Sequence, residues 1–173
     1  SAPLGNFAVL NIAPGVTATL QGTETDSGIL AVVGDATLGF NTTSGGARFL
    51  RVAPIFDVGT ARLIVDFAQS IQAFGTYITG LGTANGNLFV LFNDGSNKSI
   101  SVPGSATGGA KFFGFTDPGT QIVQVTLELQ NVSGTRDIFS VDDLRFVPVP
   151  EPSTIALAMC LTIAGLVRVR RRS

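Results

Sequence analysis

Two adjacent carboxylates, Asp142 and Asp143, stand in the run DIFSVDDLRF (Asp137 to Phe146), flanked by Phe139, Val141, Leu144 and Phe146. Side chains alternate along a strand, so this apolar pattern sends one Asp inward unless a bulge intervenes. An inward carboxylate needs hydrogen-bond donors or a cation. Two readings are open. One is a structural Ca2+ held by oxygen ligands, with Asp142 and Asp143 joined by Asp57 or Asp66. The other is a bulge whose carboxylates accept backbone N–H bonds. No DxDxDG-type loop occurs, which excludes an EF-hand.

Other chemistry is sharply bounded. The 173 residues include no His and one Cys, which excludes Ser-His-Asp and Cys-His nucleophiles, His-containing zinc sites and an internal disulfide. Paired carboxylates could still serve a glycoside hydrolase, which needs two acids about 5–10 Å apart in a cleft. Most acids sit in turn contexts (Asp26, Asp35, Asp94, Asp117), and Tyr77 is the only Tyr or Trp that could stack on a sugar. No catalytic residue is assigned. The run GSATGGAK (Gly104 to Lys111) fails as a phosphate-binding loop, because Lys does not directly follow the last Gly and no Ser or Thr comes after it.

The body that must position these residues reads as strands. Up to Val147, short runs rich in Val, Ile, Phe and Thr alternate with Gly, Asn, Asp and Ser clusters. In QIVQVTLELQ (Gln121 to Gln130), Val123, Val125, Leu127 and Leu129 alternate with polar residues, a period of two with one buried face. Val16–Gln21, Arg62–Phe67, Ile71–Thr79 and Lys111–Phe115 read the same way. About twelve such strands are expected, the density of an all-β sandwich or barrel. Asn93-Asp94-Gly95-Ser96 supplies hairpin chemistry between two of them. Phe67, Phe74, Phe89, Phe92, Phe112, Phe113, Phe115, Phe139 and Phe146 are expected to fill the space between the sheets.

The last 26 residues are a different material, PVPEPSTIALAMCLTIAGLVRVRRRS. A Pro-rich linker (148–152) precedes an uncharged apolar run from Ser153 to Val167, followed by Arg168, Arg170, Arg171 and Arg172. Fifteen helical residues span roughly 22 Å against a bilayer core of about 30 Å. Extending the helix to Val169 and letting arginines snorkel narrows the gap. The basic cluster predicts a cytoplasmic end, placing the preceding body across the membrane. The tail carries four arginines and Glu151, so the remaining 147 residues hold seven basic and eleven acidic side chains. That acidic balance argues against nucleic-acid binding.

Pro150-Glu151-Pro152, a short apolar helix and a terminal arginine cluster, in that order, resemble the PEP-CTERM protein-sorting signal. The resemblance implies an exported bacterial surface or extracellular-matrix protein, and processing near Pro150-Glu151-Pro152 by a membrane enzyme of the exosortase type. It also implies a transient single-pass anchor in the inner membrane, retained through Arg168 and Arg170 to Arg172. Such proteins carry an N-terminal secretory signal, and the start Ser1-Ala2-Pro3-Leu4 is read as the residue of its removal.

A second resemblance lies in the body. IQAFGTYI (Ile71 to Ile78), KFFGFTD (Lys111 to Asp117) and DIFSVDDLRF are similar to stretches in jelly-roll domains of exported proteins of that kind, which resemble lectin-like sandwiches. The expected fold is therefore an all-β, jelly-roll-like antiparallel sandwich over 1–147. The linker 148–152, a transmembrane helix over 153–169 and a basic terminus at 170–173 follow it. The leading functional expectation is a non-catalytic matrix or surface protein with extracellular polysaccharide as a ligand. A purely structural or adhesive protein, and a glycan hydrolase, are the alternatives.

Overall fold

A chain this rich in β-branched and aromatic residues, punctuated by Gly and Asn, has few ways to satisfy its backbone except by pairing strands. The computed structural model describes residues 9–24, 27–30, 39–44, 46–55, 59–82, 86–92, 95–105, 107–117, 119, 121–130 and 137–149. Ten strands occur there: β1 Val9–Ala13, β2 Val16–Gln21, β3 Gly28–Leu30, β4 Phe49–Val52, β5 Thr60–Thr79, β6 Gly86–Phe92, β7 Asn97–Val102, β8 Ala110–Thr116, β9 Ile122–Gln130 and β10 Phe139–Pro148. Every strand pair is antiparallel. The body is all-β, as its periodicity requires. The predicted helix over 153–169, the sorting residues Pro150 to Pro152 and the arginine cluster lie outside the described residues.

The main departure from the sequence reading is β5. Arg62–Phe67 and Ile71–Thr79 read as separate strands, yet they form one strand of 20 residues. Its buried positions are odd-numbered at first (Ala61, Leu63, Val65, Phe67) and even-numbered later (Phe74, Thr76, Ile78). The parity switch falls where the β9 ladder breaks register after Asp66 and the β10 ladder skips Gln72. β5 carries three more residues than β9 between Asp66 and Ile71 and one more than β10 between Ile71 and Ala73; an odd number of extra residues bends a strand and turns its side chains to the other face.

That bend hands β5 from one layer to the other. Its first half lies between β2 and β9, and the layer continues through β6 to β7. Its second half lies between β10 and β8, and that layer continues through β4 to β3. The ten strands thus form one curled, hydrogen-bonded network whose two halves face each other. Between them sits a single core that includes Leu63, Val65, Leu127, Leu129, Ile78, Phe139 and Val141. The rings of Phe67 and Phe146 meet across it with centroids 5.3 Å apart.

Of the expected aromatic filler, Phe67, Phe74 and Phe139 are buried, and Phe113, Phe115 and Phe146 pack against the core half-buried. Phe112 is a correction: 59% of it is exposed. It shares a face with Gly114 and Thr116, opposite to Phe113 and Phe115. The side chains of Phe89 and Phe92 lie outside the description. The chain also stays in the sheet beyond Val147, because β10 runs through Pro148 and the Val149 amide donates to the Ser70 carbonyl at 2.9 Å.

Candidate ligand-binding groove

Strand register places nine residues as a grid on the outer face of the second layer. Asp142, Tyr77 and Phe112 form one row across β10, β5 and β8. Arg145, Gly75 and Gly114 form the next, and Val147, Ala73 and Thr116 the third. Rows two residues apart along a strand are separated by about 6.7 Å. Glycine inside a strand gives a sheet nothing to pack, and often marks a close approach by another group. Here two glycines stand side by side in the middle row.

The glycine floor is used at once by Phe112. A Cβ on Gly75 would stand 2.7 Å from Phe112 Cζ, so the ring lies diagonally over the space that a side chain would fill. Tyr77 meets the same ring edge to face, with centroids 5.2 Å apart and planes at 67°. The result is a groove of about 600 Å³ lined by Phe112, Gly75, Gly114, Thr116, Arg145 and Val147, with Phe74 and Phe115 below. An exposed aromatic ring laid over two glycines and one guanidinium beside it suit a flat amphipathic ligand such as a sugar ring, which presents apolar C–H faces and hydroxyl edges.

The head of the grid is fixed by a loop. Asp142 Oδ2 accepts bonds from the Thr42 amide (2.7 Å), Thr42 Oγ1 (2.9 Å), the Thr43 amide (3.2 Å) and Thr43 Oγ1 (3.3 Å). Thr43 Oγ1 also reaches Asp143 Oδ1 at 2.8 Å. One step further along the sheet, Thr79 Oγ1 donates to the Phe40 carbonyl at 3.1 Å and accepts from the Phe40 amide at 3.0 Å. The segment 40–43 is thereby laid across the end of β5 and β10.

A bulge resolves the strand puzzle at Asp142-Asp143. Register slips between Asp142 and Arg145, and Asp143 adopts a left-handed φ of 51°. Neither carboxylate has to enter the core, and both are half-buried. Asp66 is not brought to them: it sits on the first layer, where Gln124 Nε2 donates to its Oδ1 at 2.7 Å. Asp57 lies outside the described residues. Among the described residues, no three of Asp, Glu or Cys converge as a metal-binding group. The other acids are engaged locally: Glu128 by Arg62 at 2.6 Å, Asp117 by Lys98 at 3.2 Å, and Asp137 by the Gly82 and Ile138 amides.

Sequence reasoning took Phe112 for core and passed over the groove. The signal was present, since Phe74-Gly75 in β5 and Phe113-Gly114 in β8 each place a glycine in mid-strand. Only register shows that the two glycines are neighbours.

Residues 148–172 match the PEP-CTERM protein-sorting motif. The chain carries a PEP-CTERM signal. The match agrees with the order of Pro-Glu-Pro, apolar run and arginines, and such a signal indicates export and sorting to the cell surface. No curated protein matches the sequence. In structure, the body of the chain is a β-sandwich similar to that of a carbohydrate-binding module. It is similar to TmCBM61, solved in complex with β-1,4-galactotriose, at 12% identity and a TM-score of 0.52, covering 76% of this chain and 88% of that one. It is also similar to part of an exo-β-agarase, at 12% identity and a TM-score of 0.51, covering 84% of this chain but only 26% of the enzyme. At these identities the likeness is one of fold.

Proposed function

We propose that this is an exported surface protein whose sandwich binds polysaccharide without cleaving it, through the groove between Phe112 and Arg145. One observation carries the reading: an exposed Phe112 ring, backed edge to face by half-buried Tyr77, stands over two adjacent glycines on an open sheet face. A ring 59% exposed leaves more than half of its apolar surface in water, and covering that part with a ligand recovers about 1–2 kcal/mol. The fold shared with TmCBM61 makes β-1,4-linked galactan oligosaccharides a sensible first probe.

The chain has one Tyr and no Trp, so its intrinsic emission reports on Tyr77 alone. Full-length protein in detergent is titrated with galactan oligosaccharides and a panel of neutral and acidic polysaccharides. Saturable change in Tyr77 emission, lost in Phe112→Ala, supports the groove. No change across the panel leaves a purely structural or adhesive role.

Delivery to the surface is proposed to follow the signal. A membrane enzyme of the exosortase type reads Pro150-Glu151-Pro152, while the apolar run and Arg168, Arg170, Arg171 and Arg172 hold the chain in the inner membrane beforehand. Mass spectrometry of the secreted species tests this; a secreted product still ending at Ser173 counts against it.

A further inference from the structure

Arg145 is the ionisable residue among those lining the groove. Its exposure contrasts with the fate of the other described cations. Arg62 pairs with Glu128, Lys98 pairs with Asp117, and Lys111 donates to the Pro103 carbonyl. Arg48 and Arg51 also have partners. Among the described residues, Arg145 is the cation that no protein group engages. This happens in a body whose residues up to Val147 carry eleven acids against seven bases. Acids to pair with were therefore available, and the one in the grid, Asp142, instead has its Oδ2 engaged by Thr42 and Thr43.

A guanidinium offers a planar fork of donors that matches a carboxylate in two parallel bonds. The row of Arg145 and Gly75 lies about 6.7 Å from that of Tyr77 and Phe112, two residues along the strand. The Phe112 ring reaches over Gly75 toward the Arg145 row, so a sugar ring stacked on it brings its own carboxylate, or that of the next ring, to the guanidinium. Gly75 and Gly114 raise no side chain of their own between the two groups. The order of the groups also sets polarity, because the carboxylates of Asp142 and Asp143 at the head of the grid repel an anion while Arg145 attracts it.

We infer that the groove selects a carboxylated polysaccharide, a uronic-acid polymer, with a ligand carboxylate on Arg145 and a sugar ring on Phe112, whose contact with Tyr77 reports the binding. This rests on the reading that the groove binds glycan. The test uses the full-length chain in detergent, polygalacturonate, and the same polymer after chemical reduction of its carboxyl groups. Binding is followed by calorimetry and by Tyr77 emission. The acidic polymer is expected to bind roughly tenfold tighter than its reduced form, the scale of one charge-assisted hydrogen bond, and the preference should fade as salt rises. Arg145→Gln should erase the preference while the weaker binding of the reduced polymer persists; Arg145→Lys should retain part of it. Equal affinity for the two polymers, or an unchanged preference in Arg145→Gln, overturns the inference and leaves the groove standing as a neutral-glycan site. Absence of binding by either polymer, with neutral glycans also silent, overturns the groove itself.

Discussion

Phe112 Cζ stands 2.7 Å from the point where a Cβ on Gly75 would lie, so the ring's position depends on a missing side chain in the neighbouring strand. In Gly75→Ala the clash falls on the far end of an exposed ring, which can swing outward. Melting should shift by no more than about 2 °C, while glycan affinity should fall by roughly tenfold. Gly114→Ala is different in kind, because its Cβ would meet the Phe74 carbonyl oxygen at 2.7 Å and the Gly75 Cα at 3.0 Å. Backbone cannot yield as a ring can, so that variant should lose about 1–3 kcal/mol of stability. Paired thermal melts and titrations separate the two cases.

Exposure predicts opposite outcomes for two phenylalanines of the same layer. Phe74 is 3% exposed and its ring meets those of Phe67 and Phe115. Phe74→Ala should cost about 3–5 kcal/mol through the cavity it leaves. Phe112→Ala should change stability by less than about 0.5 kcal/mol and abolish binding. Urea denaturation of both variants, alongside the emission titration, checks the contrast.

The carboxylate of Asp142 joins segments 100 positions apart in the chain. Asp142→Ala leaves the Thr42 and Thr43 donors without their acceptor and should cost about 1–3 kcal/mol. Asp142→Asn keeps one acceptor oxygen and should lose less. At this chain length each kcal/mol corresponds to a fall in melting temperature of about 2–4 °C. Thr42→Val should reproduce part of the loss, and a double-mutant cycle with Asp142→Ala should reveal coupling.

The Thr42 amide, the Thr42 hydroxyl and the Thr43 amide already converge on Asp142 Oδ2, and the Thr43 hydroxyl is shared between it and Asp143 Oδ1. Structural calcium would have to compete with them. Chelation with EDTA is therefore expected to leave the melting curve unchanged. A fall of several degrees, reversed by added Ca2+, would support the metal reading of Asp142 and Asp143.

Local chemistry made much of the body legible. β2 occupies the span Val16–Gln21 that its alternation marks, and β9 buries Val125, Leu127 and Leu129 while turning Gln124, Thr126 and Glu128 to the other face; at its start, where the ladders shift register, Ile122 is buried and Val123 only half-buried, against the expected alternation. The turn at Gly95 takes the left-handed φ of 81° that Asp-Gly suggests. What stayed hidden depends on pairs of strands rather than on one. The bend in β5 needs a partner ladder to reveal its extra residues, since nothing in Ala68-Gln69-Ser70 breaks a strand by itself. Phe112 is as apolar as Phe113, and only the pleat tells them apart. Gly75 and Gly114 gain meaning from facing each other, a relation that spans 39 residues of sequence.

The sheet keeps hold of the chain through the Val149 amide, one residue before the sorting motif's Pro150. Pro150, Glu151 and Pro152 are all that separate it from the apolar run at Ser153, a leash of roughly 10 Å at full stretch. On the proposed route to the surface, a membrane protease would have to work in the shadow of the sandwich, or before its last strand had zipped shut. Closure of the fold and severing of the leash would then race one another, and a short Gly-Ser insert after Val149 should call off that race.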